Sequence, residues 1–245
     1  MTGTRELKGA IAGLLGFAAA EEQVLLTATT SAPAGTSARA GTPRNWAAVP
    51  VVAHNTEFKA QQVHRLRAVA RGRVPEDFAE VDHASAAVYL GYAAQRADQV
   101  AADSNRVTGD LIAGLALVAD DDLLDPSRNP WLHGRRLWLQ VVVRGFWHPT
   151  GHLADYYLAH AQPDRAVALA AHGLATASYL GAPDEARGMA AFNLACAQAR
   201  ADRPDDAAAS VRDTLALNPG LRAKVGTEPD LAVLRDGGYL ASVLA

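Results

Sequence analysis

The chain has 245 residues, of which 49% are apolar and 20% charged, and its formal net charge is −3. This length and apolar content suffice for one large domain, or for a medium domain with an appendage, with a proper core. The basic residues are scattered along the chain and form no stripe that could neutralise phosphates. The composition therefore argues against a nucleic-acid partner.

The first predicted helix covers residues 4–29 and has apolar residues at helical spacing. Its longest uncharged stretch, residues 9–20, is too short to span a bilayer, and the acidic pair that follows does not fit a signal peptide. We therefore expect a core helix in a cytoplasmic protein that has no membrane partner. The single cysteine, Cys196, cannot form an internal disulfide, which fits a reducing compartment.

Breaker residues separate the next two predicted helices from their neighbours. Residues 31–44 combine prolines and glycines with small polar residues and predict a loop. The second helix follows this loop and should end before Gly72. The third helix should start near His83 and run toward residue 118, with a break around Gly109.

The acidic, proline-containing residues 120–130 predict another loop, and residues 131–161 predict the fourth helix. Pro149 removes the hydrogen bond to the Gly145 carbonyl and should bend this helix. Four long helices with turn-rich connections are typical of a helix bundle. We predict an all-α fold whose first domain, residues 1–161, is a four-helix bundle.

The character of the sequence changes after this point. Residues 186–219 resemble one tetratricopeptide repeat in length, in the Asn-Leu-Ala that begins at Asn193, in Ala207 and in the closing Leu-Asn-Pro. Because fewer than three good repeats are present, this segment should need the bundle for support. The second predicted domain, residues 162–245, is a short helical array of the tetratricopeptide type.

Three of the eight histidines form the most informative pattern of the chain. His148 and His152 are four residues apart, so they share a helix face and can bind one divalent ion. His54, on the second helix, can supply a third nitrogen. Such a set leaves one coordination position open, as a catalytic site requires. The alternative interpretation is that the pair arises by chance on an Ala-rich helix.

Glu57 follows His54 by nearly one helical turn and is expected to orient a ligand or a metal-bound water. The alternative is a surface carboxylate paired with Arg65 or Lys59. Cys196 lies where small apolar residues pack in the repeat, and we expect it to have no catalytic role.

The order and separation of these residues resemble the DinB-like metalloprotein superfamily over residues 1–161. The resemblance rests on Trp46, on the His-x-x-Glu pattern that starts at His54, and on the His-x-x-x-His pattern that starts at His148. It implies that the three histidines hold zinc, nickel or a similar divalent ion. One branch of the family has glutamate at the position of His148. Many members are thiol S-transferases that use glutathione, bacillithiol or mycothiol, and one branch includes mycothiol-dependent maleylpyruvate isomerase.

Further side chains are expected to complete the site. Arg96 and Arg144 lie on helices expected to face the metal, where a guanidinium could hold a carboxylate of the substrate or the thiol. Aromatic residues on the same helices could line the site, although packing in the bundle core explains each of them equally well. These aromatic residues are Tyr89, Tyr92, Trp147 and Tyr156.

Our leading hypothesis is a metal-dependent enzyme that activates a low-molecular-weight thiol for transfer to, exchange on, or isomerisation of a small electrophile. Arginine far outnumbers lysine in the chain, a bias typical of proteins from GC-rich genomes, and this bias favours mycothiol as the thiol. The fused repeat segment is not standard for the family and indicates an enzyme of specialised metabolism. Two alternatives stay open: a Lewis-acid enzyme for cyclisation or hydrolysis without a thiol, and a non-catalytic adaptor whose repeat groove binds a partner. Bundles with an Ala-rich appendage often dimerise, so a homodimer is one expected assembly.

Overall fold

The computed structural model of the protein describes residues 3–30, 44, 46–76 and 86–241. Every regular element within these residues is helical, so the predicted all-α class is confirmed. Contacts within the chain divide it into two compact units, Met1–His152 and Leu153–Ala245. This division falls inside a helix, whereas the sequence analysis places the boundary between residues 161 and 162.

The first unit contains three long helices that pack against one another. Its helices are α1 (Thr4–Thr30), α2 (Ala48–Val69), α3 (Ala86–Ala93), α4 (Ala97–Leu117), α5 (Asp120–Leu124), α6 (Leu137–Val142) and the start of α7 (His148–Ala159). Helices α1, α2 and α4 contact each other, and α6 and the turn after it pack on this group. Its interior is apolar because large aliphatic side chains on the inner faces are buried, among them Ile11, Leu15, Leu66, Leu111 and Leu115.

The predicted break of the third helix at Gly109 is wrong. The interruption lies at residues 94–96, between α3 and α4, and Gly109 is inside α4. Val107 and Leu111 are buried on either side of Gly109, so the packing of this face outweighs the low helix propensity of one glycine. The predicted start near His83 lies outside the described residues.

The connection to α6 is more regular than predicted. In place of a loop, residues 120–130 form α5 and parts of two 3₁₀ turns, Pro126–Arg128 and Pro130–Leu132. The fourth helix also begins later than predicted, at Leu137. His133 ends the second 3₁₀ turn in the left-handed conformation, with a φ of 52°, and so keeps the helix from starting there.

A π-helical turn, Val143–Trp147, joins α6 to α7. The backbone amide of His148 bonds to the carbonyl of Val143, five residues earlier. Because α-helical geometry starts again at His148, Pro149 lies in the first turn of α7, where a missing amide hydrogen costs little. The irregularity therefore lies directly before the two histidines, whereas the sequence analysis places a bend between them.

Gly145 allows this π-helical turn to approach two other helices. A Cβ atom at Gly145 would lie 2.2 Å from Leu15 Cδ2 and 3.0 Å from Leu111 Cδ2. We expect Gly145→Ala to lower the free energy of unfolding by about 1–3 kcal/mol through overpacking. Urea denaturation would measure this. The control is Gly109→Ala, where a Cβ meets open space and helix propensity should add about 0.5–1 kcal/mol of stability. Equal effects of the two substitutions would contradict this packing argument.

Helix α1 spans Thr4–Thr30, in agreement with the predicted residues 4–29, and is longer than the uncharged stretch 9–20. Residues Thr4–Ala28 meet the length and composition expected of a membrane-crossing helix, a test that core helices and signal sequences also pass. Within the first unit, Ile11 and Leu15 of this helix are buried, and Lys8 donates a hydrogen bond to the carbonyl of Val118 at 2.7 Å.

The second unit contains the rest of α7 and five further helices: α8 (Pro163–Tyr179), α9 (Asp184–Arg200), α10 (Pro204–Leu217), α11 (Arg222–Thr227) and α12 (Ala232–Asp236). Helix α9 packs on both α8 and α10. Each of the two connections between these helices contains a residue in the left-handed conformation. These residues are Gly181, with a φ of 63°, and Asp202, with a φ of 59°. Cys196 is buried in a core cluster with Phe192 and Val211, which agrees with its predicted packing role.

Candidate metal centre

Three imidazole rings from two helices come together in the first unit. His54 lies in the second turn of α2, and His148 and His152 lie one turn apart at the start of α7. One ring nitrogen from each histidine lies within 4.8 Å of the other two. The Nε2 atoms of His54 and His148 are 3.1 Å apart. His54 is only 1% exposed, whereas His148 and His152 are half-buried.

The spacing of these nitrogens fits a shared ion. Metal–nitrogen bonds of about 2.0–2.1 Å in tetrahedral geometry separate two ligand nitrogens by about 3.3 Å. The observed 3.1 Å between His54 and His148 is close to this value. Three neutral imidazoles suit zinc, nickel, copper or iron, and they leave a position for water or substrate. The donor set therefore fits the divalent ion that the sequence predicts.

Aromatic rings pack around the histidines and restrict their orientation. Phe58 stacks on His148 with centroids 4.2 Å apart and lies 4.7 Å from His54. Trp46 and His54 are in edge-to-face contact, with ring centroids 5.6 Å apart. Sequence reasoning missed Phe58, although its position four residues after His54 placed it on the same face of α2. This apolar packing keeps water from one side of the triad.

Glu57 is connected to the histidines through a tyrosine. The hydroxyl of Tyr92 donates a hydrogen bond to the Glu57 carboxylate, and the Tyr92 ring lies 5.7 Å from Trp46 and 6.0 Å from His54. Burial, followed by the hydrogen bond to Glu57 and its negative charge, raises the pKa of Tyr92 well above its usual value. Glu57 thus holds the ring that packs on His54. Its carboxylate does not pair with Lys59, so the alternative of a Glu57–Lys59 pair is wrong; Lys59 pairs with Glu22.

A shallow cleft opens beside this pair. Its volume is about 230 Å³, and its lining includes Glu57, Tyr92, Asp103 and Arg106. Glu57 and Tyr92 therefore border a space that a polar small molecule could enter.

The other predicted site residues have different surroundings. Tyr89 is 3% exposed, its ring lies 5.4 Å from Trp46, and burial raises the pKa of its hydroxyl. Trp147 is half-buried and ends the π-helical turn directly before His148. Tyr156 belongs to the second unit, where it stacks on His160 with centroids 3.9 Å apart.

Arg96 is not brought into the cluster of histidines and aromatic rings. Its side chain is 78% exposed and pairs with Asp98 at 2.8 Å. The hydrogen bond to Asp98, followed by the negative charge of Asp98, raises the pKa of Arg96. The helix is interrupted between α3 and α4 at Arg96. The continuous helix on which its side chain was expected to face the site therefore does not form.

Arg144 does lie against the site. Its guanidinium carbon lies 4.7 Å from the centroid of Phe58, the ring that stacks on His148. Burial lowers the pKa of Arg144, and the charges of Arg65 and Arg135 lower it further. The Arg144 cation therefore has two positively charged neighbours and lies over an aromatic ring.

A buried ion pair that sequence reasoning missed lies beside this site on α2. Lys59 Nζ donates to Glu22 Oε2 at 2.7 Å, to Ser104 Oγ at 3.0 Å and to Thr108 Oγ1 at 3.2 Å. Ser104 Oγ donates to the same Glu22 oxygen at 2.5 Å. All four residues are at most 4% exposed. The pair thus links α1, α2 and α4 inside the apolar core.

Comparison of the chain with protein-family models, with curated proteins and with solved structures finds no match. A function for this chain therefore has to be argued from the site, because helical folds of one kind carry many unrelated activities.

Proposed function

We propose that the protein is a metal-dependent enzyme that activates a low-molecular-weight thiol for S-transfer, exchange or isomerisation of a small electrophile. The single observation that carries this proposal is the convergence of His54, His148 and His152, with their ring nitrogens within 4.8 Å of one another. Three imidazoles with an open position are typical of catalytic metal sites, whereas structural sites close all four positions with protein ligands.

The proposal extends to the fold. We propose that the first unit is a DinB-like four-helix bundle, formed by α1, α2, α4 and the α6–α7 segment, and that the second unit is a short array of the tetratricopeptide type. The support for the bundle is the mutual packing of α1, α2 and α4 with the chain after α6. The support for the array is the sequential packing of α8, α9 and α10, each joined by a short turn.

The three histidines would bind the ion, and the ion would activate the thiol. His54, fixed between Trp46 and Phe58, and the half-buried pair on α7 would hold the ion. A divalent ion bound there lowers the pKa of a coordinated thiol, so that the thiolate nucleophile exists at neutral pH. The chain then needs no cysteine of its own at the site, in keeping with the burial of Cys196 in the core of the second unit.

The remaining groups position the reactants. The hydrogen bond from Tyr92 to Glu57 holds the aromatic ring against His54, which keeps the imidazole oriented. Arg144 places a positive charge against Phe58, the ring that stacks on His148, and this charge attracts an anionic reactant. The thiol that best fits the arginine-rich composition, which is typical of GC-rich genomes, is mycothiol.

Cobalt substitution tests the thiol directly. Protein loaded with Co²⁺ would be titrated with mycothiol and with glutathione, and a sulfur-to-cobalt charge-transfer band would be recorded for wild type, His152→Ala and His64→Ala. We expect a saturable band in the wild type and in His64→Ala, whose imidazole is exposed, and none in His152→Ala. Bound cobalt without a thiol band would overturn the thiol role and leave the Lewis-acid enzyme. A wild-type protein that binds no metal would overturn both the thiol-dependent and the Lewis-acid enzyme hypotheses. The non-catalytic adaptor would then be the remaining hypothesis.

A further inference from the structure

Arg144 is a half-buried cation without a matching anion in the part of the chain that the structure describes. Its guanidinium lies over Phe58 at 4.7 Å, and no carboxylate in residues 3–30, 46–76 or 86–241 forms an ion pair with it. Charged groups taken out of water are normally paired, because losing their hydration is costly. The position of Arg144 therefore needs an explanation other than the stability of the free protein.

Two further guanidiniums lie near this cation. Arg65 and Arg135 are close enough to Arg144 for their charges to disfavour its protonated form. Arg65 is on α2, two helical turns after Phe58 and hence on the same face. Arg135 precedes α6, and its Nε donates to the carbonyl of Leu132 at 3.2 Å, which fixes part of its side chain. Both charges act unfavourably on the Arg144 cation, and an anion bound at Arg144 would offset that effect.

In the cluster of Arg65, Arg135 and Arg144, the guanidinium of Arg144 contacts the same ring as a histidine of the triad. Phe58 has Arg144 at 4.7 Å and the imidazole of His148 at 4.2 Å. A small molecule lying along the edge of Phe58 could therefore touch the cluster with one end and the triad with the other.

We propose that Arg144, with Arg65 and Arg135 around it, binds the carboxylate of a small substrate whose reacting end lies at the histidine triad. A planar guanidinium fork matches a carboxylate through two parallel hydrogen bonds. Phosphate sites commonly draw on free backbone amides at a helix N-terminus, whereas Arg144 lies within a continuous helical segment. The assignment rests on the proposed function only for the reacting end; binding of the carboxylate itself needs no metal.

A titration of the full-length protein tests the carboxylate site. Chelator-treated protein, so that no metal can bind the probe, would be titrated with succinate, with neutral succinamide and with inorganic phosphate by calorimetry. We expect saturable binding of succinate, at least tenfold weaker binding of phosphate and no binding of succinamide. Succinate binding no better than that of succinamide would overturn the proposal, and so would a preference for phosphate.

Variants separate this role from a structural one. Arg144→Met keeps an unbranched chain over Phe58 and should weaken succinate binding at least tenfold, while Arg212→Met, which removes an exposed charge on α10, should leave it unchanged. Because Arg144→Met also removes a repelled charge, we expect its Tm without ligand to rise. A lower Tm together with wild-type succinate affinity would overturn the proposal. His148→Ala should still bind succinate, so a failure of the metal function and a failure of this site give different results.

Discussion

Lys59→Met alone is expected to lower the free energy of unfolding by about 3–5 kcal/mol. The side chains of Lys59 and Glu22 are 1% and 0% exposed, and their charged atoms are 2.7 Å apart. Removal of the cation leaves a carboxylate in the core, and among the described residues only the hydroxyl of Ser104 then donates to it. Urea denaturation, followed by circular dichroism, would measure the loss.

A double variant shows whether this loss comes from the orphaned charge. Lys59→Met combined with Glu22→Leu replaces both charges by apolar groups, and such replacements of buried pairs are often neutral or stabilising. We expect the double variant to be more stable than Lys59→Met, with a coupling energy of about 2 kcal/mol or more. Additive losses would contradict this explanation. The control is the Lys8–Asp120 pair, which also begins on α1 but is partly exposed and should contribute at most about 1 kcal/mol.

Sequence periodicity could not reveal this pair, and the reason is physical. On α2 the buried stripe includes Asn55, Lys59 and Gln62, each 0% exposed, at spacings that place them on one face. A stripe of polar and charged residues normally indicates a solvated surface. Its burial depends on a carboxylate from α1 and hydroxyls from α4, and these partners are distant in the sequence.

The histidines were predictable because their chemistry leaves a local signature. The four-residue spacing of His148 and His152 puts both on one face, whichever neighbours the helix has. Their exact presentation was not predictable, since the π-helical turn Val143–Trp147 depends on close packing of Gly145 against Leu15 and Leu111. The misplaced break at Gly109 has the same origin, because tertiary packing overrides local propensity.

Added zinc is expected to raise the Tm of the wild type strongly and that of His148→Ala hardly at all. An ion that binds only the folded state stabilises it by about 4 kcal/mol when its free concentration is a thousand times the Kd. Removal of one of three imidazoles should cost most of that affinity, since His54 and His152 alone cannot complete the set. Differential scanning fluorimetry with and without zinc, and metal content by mass spectrometry, would measure both quantities.

Two further variants make this result specific to the triad. His160→Ala lies just past the end of α7 and removes the ring stacked on Tyr156, so it can change the starting Tm but should keep the full zinc-induced rise. His148→Glu should retain much of that rise, because a carboxylate oxygen is also an ordinary zinc ligand. Equal zinc responses of the wild type and His148→Ala would remove the triad as a metal site, whatever the other variants do. A response retained in His148→Glu but lost in His148→Ala would show that this position needs a ligand atom rather than the bulk of a side chain.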